Sequence, residues 1–123
     1  MSREKSARQM CYHSGLSAEQ RIAQDYERRG FAIARRRWRG AGGEIDLITR
    51  DSDGLVFVEV KQSRNFALAA ERLSQRQMAR IYASAEQFLA GEPDGQLTNV
   101  RFDVALVNDV GAFEIIENAF GQC

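Results

Sequence analysis

Residues 42–61 read GGEIDLITRDSDGLVFVEVK, and the fold turns on how the two halves of that stretch pair. Residues 44–50 and 55–62 have the composition of strands, and Asp51-Ser52-Asp53-Gly54 between them is a hairpin signal. Val56, Phe57 and Val58 leave no polar face, so the second strand is expected to be buried on both sides, where an unpaired charge is costly. Glu59 and Lys61 follow directly. If Asp51 pairs with Gly54, Asp46 lies opposite Glu59; if Ser52 pairs with Leu55, Asp46 lies opposite Lys61. In either register the strand period of two places Glu44, Asp46, Glu59 and Lys61 on one face, which Ile48, Leu55 and Phe57 continue toward the turn. Ile45, Leu47, Val58 and Val60 are then expected to share the other face as a core surface.

Three carboxylates and one lysine at one end of a buried sheet repel one another unless a cation intervenes. Mg²⁺ suits such a place, because it prefers carboxylate oxygens, often from only one or two residues, with water completing its shell. A lysine beside it can hold an attacking water or offset charge on a phosphate. The plainer reading of the same residues is a Lys61–Glu59–Asp46 salt-bridge ladder; the apolar setting and the excess of acid favour the cation. Glu19 is a second anomaly. It lies three, four and seven residues before Ile22, Ala23 and Tyr26, on an apolar helical stripe where acids are rare. It either complements the helix dipole in the first turn or points into the carboxylate cluster.

Outward from the hairpin, the chain reads as one domain. At 123 residues and 13.9 kDa it can build a single core. Its 44% hydrophobic and 28% charged residues are ordinary for a globular protein. No apolar run approaches the roughly 20 residues that cross a bilayer, and MSREKSARQMCYHSG lacks the apolar core of a secretory signal. Cys11 and Cys123 have no metal-ligand spacing, so a reduced, cytoplasmic protein with no membrane association is expected. Residues 1–14 read as a mobile polar arm, carrying an inert His13, and 15–123 as the domain. A helix is expected over 15–29, with Ser17 and Gln20 as a capping box and Gly30 as its stop. A strand over 31–39, the hairpin, one long helix over 69–90 and strands over 100–108 and 112–117 complete the order α-β-β-β-α-β-β. That order specifies an α/β domain with a central mixed sheet flanked by helices.

GEIDLI, the turn and LVFVEVK together resemble the YraN-like family of uncharacterised bacterial proteins, and AEQRIAQDYERRGF, RFDVALV and NAF match the same pattern. The resemblance spans about residues 15–120. That family is similar to archaeal Holliday-junction resolvases, within the restriction-endonuclease-like fold and the PD-(D/E)xK nucleases. The resemblance implies that Asp46 is the motif aspartate, that Glu59 and Lys61 are the ExK pair, and that Glu19 is the helix-one glutamate. It further implies Mg²⁺ or Mn²⁺ held by Glu19, Asp46 and Glu59, with DNA, including branched DNA, as substrate. Resolvases of this type cut two strands and work as homodimers. Two positions depart from the family pattern: Gln77 stands where members often have lysine, and Gln75 where they often have proline.

The net charge of zero conceals a segregation, with 16 Lys/Arg against 10 Asp/Glu in residues 1–80 and 1 against 7 in residues 81–123. Arg35, Arg36, Arg37 and Arg39 surround Trp38. Guanidinium groups suit phosphates and an aromatic can stack on a base, so Arg35, Arg37 and Arg39, with Arg64 past the hairpin, are the nucleic-acid contacts expected. An edge strand with solvated charges and a core Trp38 is the alternative. Arg72, Arg76 and Arg80 read as a solvent face of the second helix. Two functions stay open: a metal-dependent DNA endonuclease, and a non-catalytic DNA-binding or repair-partner docking module that retains the nuclease fold.

Overall fold

The computed structural model of the protein describes residues 18–71 and 74–120. The arm over 1–14 with Cys11 and His13, the Ser17 cap, Arg72 and Cys123 lie outside the described residues. The first element is α1, whose described part covers residues 18–28. Its end shows why Gly30 stands there. Gly30 takes φ 97°, the Phe31 amide donates to the Tyr26 carbonyl at 3.0 Å, and the Gly30 amide donates to Glu27 at 3.1 Å. This pair of bonds uses up carbonyls that a helix end otherwise leaves exposed, and the edge-on contact of the Tyr26 and Phe31 rings (centroids 5.4 Å apart) seals it.

Five strands follow as one sheet in sequence order: β1 (Ala32–Gly40), β2 (Gly43–Arg50), β3 (Leu55–Gln62), β4 (Val100–Val107) and β5 (Phe113–Ile116). Only the β3–β4 pair is parallel. A parallel neighbour demands a crossover, supplied here by α2 (Phe66–Glu71) and α3 (Gln75–Leu89). The two helix-bearing faces are distinct. Ala18, Ile22, Ala23 and Tyr26 of α1 pack on Leu47, Val56, Val58, Ala105 and Val107. Ile81, Ala85 and Leu89 of α3 pack on Ile45, Ile48, Leu55 and Phe57. Strand β3 therefore sends Val56 and Val58 one way and Leu55 and Phe57 the other, which is the burial on both sides that its composition demands.

Two expectations need correction, and one open alternative is decided. The helix over 69–90 is two helices, because Ser74 takes an extended conformation (φ −96°, ψ 161°) and its side chain accepts from the Gln77 amide at 3.1 Å, capping a fresh start. The sheet thus has one helix more than the expected order. The second correction is that Ile45 does not share a face with Leu47: it belongs to the α3 side. Between the pairs Arg36↔Leu47 and Trp38↔Ile45 sits Arg37 at φ 50°, a left-handed conformation inside a strand, and the register of this ladder shifts between Ile33 and Arg35. The open alternative is Trp38. It is half-buried with its ring edge-on to Phe88 at 5.3 Å, part of the core on the α3 side rather than a free platform for a base.

The turn between β1 and β2 lies against α3. A Cβ on Gly42 would run into the Arg80 carbonyl, and one on Gly40 would come within 2.9 Å of Ser84. Ser84 Oγ donates to the Gly43 carbonyl at 2.8 Å. These glycines are there for close approach, and the approach fixes α3 over the site end of the sheet.

Candidate active site at the fork between two strands

The hairpin adopts the register with Asp51 and Gly54 at the turn, since the Asp51 amide donates to Gly54 at 3.0 Å and Leu47 pairs with Val58. The β2–β3 ladder runs from Arg50↔Leu55 to Leu47↔Val58 and stops. Beyond it β2 continues against β1, through Ile45↔Trp38 and Glu44↔Arg39, and β3 continues against β4, through Glu59↔Val104 and Lys61↔Leu106. The sheet forks. The Val60 amide donates to Asp46 Oδ2 at 2.8 Å, so a side chain takes over from the ladder. Asp46 and Glu59 sit as the first pair inside the fork.

Their surroundings set their chemistry. Glu59 is 7% exposed. Its Oε2 accepts from Lys61 Nζ at 3.0 Å and from Gln77 Nε2 at 2.7 Å, whereas Oε1 is buried without a hydrogen-bond partner. A buried carboxylate oxygen left bare is costly, and native structures rarely keep one without a use. Burial, followed by the adjacent Glu59 charge and by a hydrogen bond that the protonated Asp46 carboxyl gives to Glu59, pushes Asp46 up to about 7, against the pull of the Val60 amide and of Lys61. Two acids and one ammonium group leave the ionised site a net negative charge in a largely dry setting.

The remaining expected residues are distributed elsewhere. Glu19, on α1, accepts from Arg37 Nε at 3.1 Å and Nη2 at 3.0 Å. The structure does not bring it into the Asp46–Glu59 pair, and among the described residues no three His, Cys, Asp or Glu side chains converge as metal ligands. Arg37 is thereby engaged within the molecule. Arg35 donates to the neighbouring Ala34 carbonyl at 2.8 Å. Arg39 reaches Glu44 only at 3.9 Å with most of its side chain in solvent, and Arg64 is exposed. Between the β1–β2 turn and α3 lies an open cleft of about 390 Å³, lined by Gly42, Glu44, Arg76, Gln77 and Arg80 among others. Gln77 joins this cleft to Glu59.

Gln77 is the residue at the fork that the sequence reading left out of the candidate site. Two signals pointed to it. Ser74-x-x-Gln77 is a capping-box pattern, and Gln77 lies four and eight residues before the buried Ile81 and Ala85, a polar residue on an apolar stripe. Its side chain does not turn back to the cap, as the box would have it, but goes to Glu59.

A second buried acid, Asp103 on β4, is satisfied differently. It accepts from Tyr26 Oη at 2.7 Å, from Arg101 Nε and Nη2 at 2.9 Å each, and from the Asn118 amide at 3.0 Å. All its lone-pair directions are used within the fold. Burial and the Asp103 bond push the Tyr26 phenol far above its ordinary range. This network ties α1, β4 and the segment after β5 together, and it offers nothing to a ligand.

The described chain is thus a mixed α/β domain whose chemistry-bearing residues meet where two central strands separate. It belongs to the uncharacterised protein family UPF0102, which matches residues 18–107. A UPF0102 protein of Ruegeria pomeroyi is 64% identical over 109 residues, covering 89% of each chain. One from Cereibacter sphaeroides is 58% identical over 112 residues, 91% of this chain and 96% of that relative. Another, from a further Ruegeria strain, is 47% identical over 123 residues and 99% of both chains.

Proposed function

We propose that the protein is a metal-dependent DNA endonuclease of the Holliday-junction-resolvase-like kind, acting in the cytoplasm on a restriction-endonuclease-like fold. The observation that carries this reading is the bare, buried Oε1 of Glu59 beside an Asp46 whose proton affinity is raised by the same crowding. Asp46 and Glu59 would hold a divalent cation, which would give Oε1 a partner and offset the repulsion that pushes Asp46 up. Two carboxylates suit Mg²⁺, which keeps several waters. Mn²⁺ favours the same hard oxygen donors. The order of elements, with an antiparallel β1–β2–β3 unit, a helical crossover and a parallel β4 between two helical layers, supports the fold assignment.

A cation bound by Asp46 and Glu59 would polarise the scissile phosphate and acidify a bound water. The Val60 amide holds the Asp46 carboxylate in one orientation by its bond to Oδ2. Lys61, half-buried at the fork, places an ammonium group where it can orient the attacking water or meet charge growing on the phosphate. Cutting two strands of a branched substrate calls for two such sites, hence a homodimer. The same geometry also admits the docking module without chemistry, because Lys61 and Gln77 satisfy Oε2 with no metal at all.

Divalent-dependent cleavage of branched, nicked and single-stranded DNA decides the matter. The wild type is expected to cut at least one of these in Mg²⁺ or Mn²⁺ and not in EDTA, and Asp46→Ala to lose the activity. No cleavage by wild type, or equal cleavage by Asp46→Ala, overturns the endonuclease reading.

A further inference from the structure

The two oxygens of Glu59 are treated unequally. Oε2 carries two donors and Oε1 none, so turning the carboxylate would break both bonds at once. The two holders are different in kind. Lys61 stands two residues along the same strand and carries a charge that a phosphate or a reacting water would draw toward itself. Gln77 comes from another element, and that element is fixed several times over. Ser74 caps it, Ile81, Ala85 and Leu89 anchor it in the core, and Ser84 ties it to the Gly43 carbonyl. The Gln77 amide also adds no charge, so it holds an acid without competing with a cation for it.

We propose that Gln77 is a positioning residue of the site: it locks the Glu59 carboxylate through Oε2 and so leaves Oε1 as the oxygen that, together with Asp46, ligates a divalent cation. This rests on the metal-dependent nuclease reading and goes beyond it by dividing labour at the fork. Gln77 keeps Glu59 in place, which frees Lys61 to serve the phosphate. Partners that orient a metal ligand in this way contribute strongly, and their loss typically weakens binding by about 10–100-fold.

Mn²⁺ titration by calorimetry, with melting in EDTA alongside, tests the inference on wild type, Asp46→Asn, Gln77→Met and Gln77→Ala. Methionine keeps the length and apolar bulk of Gln77 without a donor, and alanine suits a helix. Wild type is expected to bind one Mn²⁺ and Asp46→Asn to lose it. Gln77→Met and Gln77→Ala are expected to bind one Mn²⁺ about 10–100-fold more weakly, while melting in EDTA close to wild type. The Mn²⁺ concentration for half-maximal DNA cleavage should rise by the same factor. If both Gln77 variants bind Mn²⁺ as wild type does, Gln77 is only packing α3 onto the sheet and the inference fails, while the nuclease reading stands. If wild type shows no Asp46-dependent Mn²⁺ binding, both fall together.

Discussion

Asp46 and Asp103 are both acids in the interior, and the difference between them is the difference between a site and a strut. Asp103 has four donors and no spare lone pair. Asp46 has the Val60 amide on one oxygen and a like-charged neighbour beside the other, and its carboxyl is pushed up to about 7. The native chain therefore holds a proton there that the unfolded chain, with the ordinary value near 3.8, has released. The stability this confers is complete below the ordinary value and is lost as pH rises through about 7, at a rate of at most about 1.4 kcal/mol per pH unit. In EDTA, Asp46→Asn should melt at or above wild type at pH 8, and the gap should narrow toward pH 5. Asp103→Asn should melt well below wild type at every pH, by about 3 kcal/mol, because Arg101 is left partly buried with a weakened partner. Melting scans of the three proteins from pH 5 to 8 check both statements; an Asp46→Asn protein that unfolds far below wild type at pH 8 would make Asp46 a strut as well.

At the scale of elements, the strands were legible because their punctuation is chemical: Asp51 and Gly54 make the hairpin, and Gly40, Gly42 and Gly43 make the close turn. What the residues left open was the register, and it is the strand fork that gives the register its meaning. The break between α2 and α3 was missed because the helical pattern over 69–90 was carried straight through Ser74, whereas Ser74 is a cap. The left-handed conformation of Arg37 was not legible at all, since nothing in ARRRWRG marks one arginine for it. If the protein binds nucleic acid, the pairing of its arginines decides which of them are open to phosphate. Arg37 is spent on Glu19 and Arg50 on Glu92, whereas Arg76 and Arg80 line the cleft that leads to Gln77. On duplex DNA each phosphate contact contributes about 0.9 to the slope of log affinity against log salt. Arg76→Ala/Arg80→Ala should lower affinity and flatten the slope by up to about 1.8, and Arg37→Ala should alter neither while lowering the melting temperature. Fluorescence anisotropy across a salt series reads all of this, and an unchanged slope in the double variant would place the DNA elsewhere.

Over the whole molecule, the segregated charges cross-neutralise. Glu92 and Glu117, from the acidic third of the chain, take Arg50 and Arg29 from the basic part. The zero total charge says little about the surface around the fork, because these pairs involve none of the residues at the fork. Glu19 shows the limit of pattern reading at this scale: its place on the apolar stripe was read as unusual, but the partner that answers it is Arg37 of β1, a residue in a left-handed conformation that the sequence does not mark. If the fork holds a cation, the folded state alone offers that site, so Mg²⁺ should stabilise the entire domain by mass action, by about 2.7 kcal/mol at one hundred times the dissociation constant. Denaturant titrations with and without Mg²⁺ measure it, and Asp46→Asn should show no such gain.

The Val60 amide has a property that follows from its odd partner. Its neighbours along β3 are shielded by strand-to-strand bonds that change only when the sheet opens, whereas its own proton rests on a titrating carboxylate. The nitrogen-bound proton of Val60 therefore works as a resident indicator, its resonance and its exchange with solvent following the ionic state of Asp46 through a single main-chain position that no substitution need disturb.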